Sequence, residues 1–258
     1  MIFCFSGTGN SRFVANELAK SLNMQVTELQ GEILINPTSA TYDFSNESRI
    51  IWVFPIYSWG VPPIVVDFIN KAPITISDNT PHYMVCTCGD DIGNAHSHWR
   101  KLITNRGWNA QSAYSVQMPN TYTLMKGFDV DNKELEQQKL ANAPSRISKI
   151  AINIENGDSC DDVVRGSWAW VKTAIIYPYF LRYCMSPRPF HATDKCIGCG
   201  KCAKACPLNN IAMNSNHPQW NDKCALCLRC YHICHSQAIA YGKATKGKGQ
   251  YKTLMHNS

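Results

Sequence analysis

The chain has 258 residues, of which 45% are hydrophobic and 17% charged, with 13 cysteines, 25 Lys and Arg against 19 Asp and Glu, and a formal net charge of +6. That length accommodates about two domains of ordinary size. An odd cysteine count with scattered outliers argues against a disulfide framework, and positive charge without an aromatic-and-basic groove motif argues against a nucleic-acid partner.

The first predicted element is a strand, Met1-Ile-Phe-Cys-Phe5, with no basic n-region and no cleavable apolar segment, so a cytoplasmic protein is expected. It runs into Ser6-Gly7-Thr8-Gly9-Asn10-Ser11, then into a helical pattern whose Val14, Leu18 and Leu22 recur at four-residue spacing beside Ala15 and Ala19. A glycine- and hydroxyl-rich loop at a helix N-terminus is a phosphate site, because free backbone N–H groups and the helix dipole converge there. No Lys follows as in a P-loop, and Arg12 replaces the third glycine of a dinucleotide fingerprint. A serine-rich cap that binds nothing would explain one or two hydroxyls, but not four polar donors with two glycines.

A second apolar strand, 49–54, leads into Pro55-Ile56-Tyr57-Ser58-Trp59-Gly60. A third, 82–87, leads into Thr87-Cys88-Gly89-Asp90, and a fourth near 114–118 ends at Pro119-Asn120. Helical patterns over 61–71 and 93–106 separate them. Strand, loop and helix in alternation give an α/β fold, a doubly wound parallel sheet with its ligand at the carboxyl ends of the strands. Cys4, Cys86 and Cys88 lie in or beside these strands and read as core thiols rather than nucleophiles. Pro144 is expected to start a helix running from about Ser145 to Glu155.

Residues 157–190 form an aromatic-rich connector. A membrane span needs roughly 20 apolar residues, whereas the 18 residues 168–185 contain Lys172, Pro178 and Arg182, so no transmembrane span is expected. One or two short helices that pack the domains together or bury a homodimer contact fit better, with an interfacial membrane arm as an alternative.

Eight cysteines then fall in two copies of one spacing, C-x2-C-x2-C-x3-C. The first copy is Cys196, Cys199, Cys202 and Cys206; the second is Cys224, Cys227, Cys230 and Cys234. Structural zinc takes C-x2-C pairs and has no use for a third near neighbour; this run is the one that ligates [4Fe–4S] clusters. The repeat extends beyond the ligands: Asp194-Lys195 matches Asp222-Lys223, Lys201 matches Arg229, and Ile211-Ala212 matches Ile239-Ala240, which implies two copies of one unit about a pseudo-twofold axis.

Over residues 191–242 the chain resembles the bacterial two-cluster ferredoxins. That resemblance implies a small α+β domain in which the fourth Cys of each run reaches across, so that Cys196, Cys199, Cys202 and Cys234 hold one cluster and Cys224, Cys227, Cys230 and Cys206 the other. The family usually has Pro where His235 stands; the imidazole is either a tuning group or an exposed loop residue. Net charge is −4 over 1–165 and +10 over 166–258. Two oxidised clusters offset roughly four positive charges, leaving a basic tail, 243–258, that is either simply solvated or steers an acidic redox partner through Lys243, Lys246, Lys248 and Lys252.

Thr8-Gly9-Asn10-Ser11 resembles the T-G-N-T phosphate loop of flavodoxins. This implies an FMN domain over 1–156 with sheet order 2-1-3-4-5 and a flavin lying over Ser6–Ser11, 55–60 and 87–90. Trp59 is then the candidate to stack on the isoalloxazine, with backbone near Gly60 hydrogen-bonding N5. Tyr57 is the weaker candidate for the stack, and Trp59 as a loop anchor is the alternative. The third loop lacks a second aromatic; either Tyr122 supplies it, or the face stays open to the cluster domain or a partner. Taken together, the chain resembles the flavodoxin–ferredoxin fusion proteins of anaerobic microbes. An electron-transfer protein with FMN, two [4Fe–4S] clusters and protein redox partners is expected. One alternative is a flavin-dependent reductase of a small molecule or quinone, with Tyr57, Tyr122, His96 or His98 as proton donor. Another is a redox-sensing module that binds through its tail.

Overall fold

The structure is a computed structural model that describes residues 1–255; the end of the basic tail, 256–258, lies outside the described residues. Strands β1 (Ile2–Cys4), β2 (Val26–Glu28), β3 (Ile50–Pro55), β4 (Pro81–Cys88) and β5 (Asn109–Gln117) form one parallel sheet in the order β2-β1-β3-β4-β5. The expected order is thus present. Edge strand β2, which sequence patterning did not locate, consists of three half-buried residues with no apolar run.

Alternate residues of the central strands feed two cores, as a pleated period of two requires. Phe3, Trp52, Phe54, Met84 and Cys86 point to one face, under α2 (Pro63–Lys71) and α3 (Ala95–Asn105), which contribute Val65, Phe68, Trp99 and Ile103. Ile2, Cys4, Ile51, Val53, Tyr83 and Val85 point to the other, under α1 (Asn10–Leu22) and α4 (Lys133–Asn156), which contribute Val14, Leu18, Ile147 and Ile150.

The helix expected to begin after Pro144 is corrected: α4 runs through that proline without a break. A proline inside a helix costs about 3 kcal/mol. Here Ala143, Ile147, Ile150, Ala151 and Ile154 all bury against the sheet, and that burial outweighs one missing hydrogen bond. The true start is at Asn132, whose side chain accepts from Leu135 N at 2.8 Å.

The connector forms one helix, α5 (169–183), with a π turn at Lys172–Ile176 between α-helical ends. Among the described residues no helix is long and apolar enough to cross a membrane. α5 packs on the loop after β3: the Tyr177 hydroxyl donates to Val61 O at 2.6 Å and Thr173 to Trp59 O at 2.9 Å.

Residues 190–241 fold as a duplicated unit. β6 (Phe190–Ala192) pairs antiparallel with β9 (Ile239–Tyr241), and β7 (Ile211–Asn214) with β8 (His217–Trp220). The 28-residue repeat read from the sequence is also a repeat of backbone conformation. Left-handed φ values at Gly198, Gly200 and Asn209 recur at Leu226, Leu228 and Gln237, and the short helices Lys201–Lys204 and Arg229–Ile233 begin at equivalent positions.

Over its described residues, 243–255, the tail packs on the protein through residues 248–253, while Lys243 and Lys246 are exposed. Tyr251 is fully buried, Gln250 donates to Tyr231 O and Cys234 O, and Lys248 donates to Thr123 O at 2.7 Å. Thr253 reaches the Glu136 carboxylate on α4. One strap therefore touches both units, because its aromatic and amide side chains find buried partners that the lysines on either side obscure in the sequence.

Candidate functional site

At the carboxyl ends of β1, β3, β4 and β5 lies a polar cavity of about 110 Å3. Ser6, Gly7, Thr8, Asn10 and Ser11 form one wall, Pro55, Ile56 and Tyr57 a second, and Thr87, Cys88 and Gly89 a third. Met118, Pro119, Asn120, Thr121 and Tyr122 close the fourth side, with Cys227 of the duplicated unit.

The first wall has the chemistry of an anion site. Gly9 caps α1 at φ 96°, a conformation that favours glycine, and the first turn carries no acidic residue. Gly9 N donates to Ser6 Oγ at 3.2 Å, while Ser11 Oγ and Thr87 Oγ1 share a 2.7 Å hydrogen bond that ties the helix start to β4. Asn10 Nδ2 donates to Pro119 O at 2.9 Å, but its buried Oδ1 has no hydrogen-bond partner, so the cavity holds an unused acceptor as well as donors.

Of the expected contacts, those at 58–60 fall elsewhere. Tyr57 and Gly60 exchange backbone hydrogen bonds of 3.0 Å across a tight turn in which Ser58 and Trp59 both have positive φ. Gly60 N is therefore engaged with Tyr57 O instead of being free as a donor, and a Cβ on Gly60 would overlap the Tyr177 ring. Trp59 does not line the cavity: its ring lies 5.1 Å from Lys172 Nζ, which pairs with Asp91 at 2.6 Å. Ser58, Gly9 and Asp90 are likewise outside the lining, as are His96 and His98.

Tyr57 and Tyr122 are the aromatic residues that do line it. Burial raises the pKa of both phenols, and the Tyr57 hydroxyl is buried without a hydrogen-bond partner. Burial also pushes the Cys88 thiol up to about 12, so it stays protonated. The 118–122 segment is held rigidly. Asn120 donates through both N and Nδ2 to Asp131, at 3.0 Å each, and Asp131 forms a largely buried ion pair with Lys139 at 2.7 Å.

A second, apolar cavity of about 20 Å3 adjoins the first. Cys206, Cys224, Cys227 and Cys230 all line it, with Phe190, Ile211, Trp220 and Leu228. These are the four cysteines expected to share a cluster. Among the described residues no three His, Cys, Asp or Glu side chains converge as a single ion requires; four thiols spread around a volume suit a cube, whose thiolates bind separate irons. Backbone donors face the sulfurs: Asn210 N lies 3.3 Å from Cys206 Sγ, Ala238 N 3.3 Å from Cys234 Sγ, and Leu226 N 3.4 Å from Cys224 Sγ. The first two are repeat equivalents.

The other set is more open. Cys202 is within electrostatic reach of Cys234 and Cys196, Cys199 is exposed, and Ile197 is 75% exposed where its equivalent Ala225 is 9%. His235 is exposed and lies 3.2 Å from Lys201 Nζ.

Arg229, which the sequence marked only as the repeat match of Lys201, and Gly7 of the first loop join these cavities. Buried Arg229 donates to Ser6 O at 2.6 Å and Gly7 O at 2.8 Å, and to Ala205 O at 3.3 Å. A Cβ on Gly7 would stand 2.6 Å from Cys227 O, so only glycine lets the two loops touch. Gly31 N adds a 2.6 Å hydrogen bond to Pro207 O. The only sequence signal was the basic match of Lys201 to Arg229. Contact across more than 200 residues leaves no local pattern.

Comparison with known proteins agrees with part of this. A 4Fe-4S binding domain family matches residues 190–212. No curated protein matches the chain. Among solved structures, a flavoprotein from Bacteroides uniformis is 14% identical, covering 54% of this chain and 95% of its own, with a TM-score of 0.35. A Trp repressor binding protein from Bacillus subtilis is 12% identical over 58% of this chain and 96% of its own, TM-score 0.36. An FMN-dependent NADH-azoreductase from Bacillus anthracis is 11% identical over 58% of this chain and 97% of its own, TM-score 0.36.

Proposed function

We propose that this chain is an electron-transfer protein that holds FMN in the polar cavity and two [4Fe–4S] clusters in the duplicated unit, and exchanges single electrons with redox partner proteins. The observation that carries this reading is Cys227, which lines both the polar cavity and the four-cysteine cavity beside it. When bound, FMN supplies a two-electron store that can be filled and emptied singly, and each cube carries one electron.

The chain's own residues supply the rest. The Ser6–Ser11 loop presents backbone N–H and hydroxyl donors to a phosphate, and Arg229 adds a positive charge behind that loop through the Ser6 and Gly7 carbonyls. Tyr57 and Tyr122 offer ring surface for a flat heterocycle. Cys224, Cys227, Cys230 and Cys206 would hold the inner cube, and burial pushes the free Cys224 thiol up to about 12, a cost that iron ligation offsets because a coordinating thiol is deprotonated outright. Cys196, Cys199, Cys202 and Cys234 would hold the outer cube, where exposed Cys199 and Ile197 make a port for a partner. Tethering all three sites on one chain makes the hand-off independent of diffusion.

A second reading rests on the Tyr57 hydroxyl, which lies buried and unpartnered at the cavity. It is placed to give a proton to a small molecule, as a reductase would require.

Protein purified without oxygen should contain about 8 iron and one flavin per chain. Reduced ferredoxin should bleach the flavin absorbance of the wild type, and Cys206→Ser, which removes an inner ligand, should slow that bleaching. Stoichiometric zinc in place of iron, or no flavin, would overturn the proposal. Product analysis with candidate acceptors separates the two readings: turnover lost in Tyr57→Phe with flavin bleaching intact favours the reductase.

A further inference from the structure

α5 is apolar on both sides, yet only one side is covered. Tyr177 and Phe180 on its inner face are 5% and 6% exposed. Trp168 at the N-cap and Trp170, Ile175, Ile176, Tyr179 and Tyr183 are 79%, 65%, 53%, 38%, 60% and 61% exposed. At 100° per residue, 175, 176, 179 and 183 fall within one arc of about 100°, beside the arc that holds 177 and 180. A helix apolar all round is normally buried, and contiguous exposed apolar surface marks a site of interaction.

The surrounding charge selects the occupant. Between Asp162 and Asp194 there is no acidic residue, whereas Arg165, Lys172, Arg182 and Arg188 all fall there. Lys172 is committed to Asp91; the three arginines are exposed, and the Arg182 guanidinium lies 5.4 Å from the centre of the Tyr183 ring. A twofold contact would set this face against its own copy, bringing Arg182 toward its equivalent with no carboxylate in the segment to pair with. An anionic bilayer surface meets both demands at once. Tryptophan and tyrosine rings settle at the headgroup level, and arginines beside them face lipid phosphate.

We propose that residues 168–183 form an interfacial helix that seats the protein on anionic membranes, lying in the plane of the headgroups without crossing them.

The holoprotein should co-sediment with vesicles of phosphatidylglycerol in phosphatidylcholine, and weakly or not at all with phosphatidylcholine alone. Added salt should release it. Each arginine changed to glutamine should weaken binding about fivefold. The triple variant Trp168→Ser, Trp170→Ser, Tyr179→Ser should lose binding while keeping wild-type iron and flavin, since none of the three lines either cavity. Retained iron and flavin also show that the variant is folded, so vesicle binding is read separately from the redox sites. Equal binding to neutral and anionic vesicles, or none to either, would overturn the proposal. So would a stable dimer in solution that the triple variant abolishes.

Discussion

Removing the Arg229 side chain tests whether the two units act as one site. Arg229 is 6% exposed and makes its two shortest contacts, 2.6 and 2.8 Å, to the carbonyls of the phosphate loop. Hydrogen bonds from a charged donor contribute about 1.5–3 kcal/mol each, so this pair holds the cluster loop to the Ser6–Ser11 loop with about 3–6 kcal/mol. Arg229→Gln removes the charge and cannot span all three carbonyls. If the pair keeps the loop in its binding conformation, the lower bound of about 3 kcal/mol corresponds to a roughly 100-fold weaker FMN complex. Anaerobic fluorescence titration of flavin-stripped protein with FMN measures this directly. Lys201→Gln, the equivalent change at an exposed position in the first copy, is the control and should leave affinity unchanged. Wild-type FMN affinity in Arg229→Gln at full iron content would refute the reasoning.

Two further outcomes are expected. Tyr251→Ala empties a fully buried position in the strap and should cost about 3–5 kcal/mol in urea unfolding; a loss below about 1 kcal/mol would mean that the strap carries no stability. Buried His82 accepts the Trp52 indole N–H at 3.0 Å, and burial lowers its pKa to about 3. The unfolded chain, with an imidazole near 6.5, takes up a proton that the folded chain refuses, so stability falls as pH drops from about 6.5 toward 3. Urea melts should show about 1.3 kcal/mol less stability at pH 5.5 than at pH 7 from this residue, and His82→Gln should remove that component; an unchanged slope would assign it to other groups.

The three central strands are legible in the sequence because both sheet faces are covered, which makes 50–55 and 83–86 continuous apolar runs. β2 is not, because an edge strand of Val26-Thr27-Glu28 has no such run. The Ser6–Ser11 turn between β1 and α1 was legible because glycines and hydroxyls at a strand-to-helix turn are a local signal. Trp59 misled because an aromatic on a binding loop looks the same whether it faces the cavity or, as here, a lysine on a helix more than 100 residues later. Pro144 misled because local propensity opposes the tertiary burial of Ile147 and Ile150. The strap and Arg229 were out of reach for a shared reason: their meaning lies in partners distant in sequence.

Leu226 and Leu228 occupy backbone positions where the other half of the repeat has Gly198 and Gly200. An L side chain in that left-handed region costs about 1–2 kcal/mol, yet both leucines are under 5% exposed and join Leu124, Phe190 and Tyr231 in a separate core within the duplicated unit. Strain accepted in this half buries two leucine side chains beside the inner cysteines, while its glycine twin has no side chain at those positions. Two cysteine sets on one backbone pattern therefore differ in apolar surroundings, and any centre they hold would differ in its electrochemistry before a single ligand is changed.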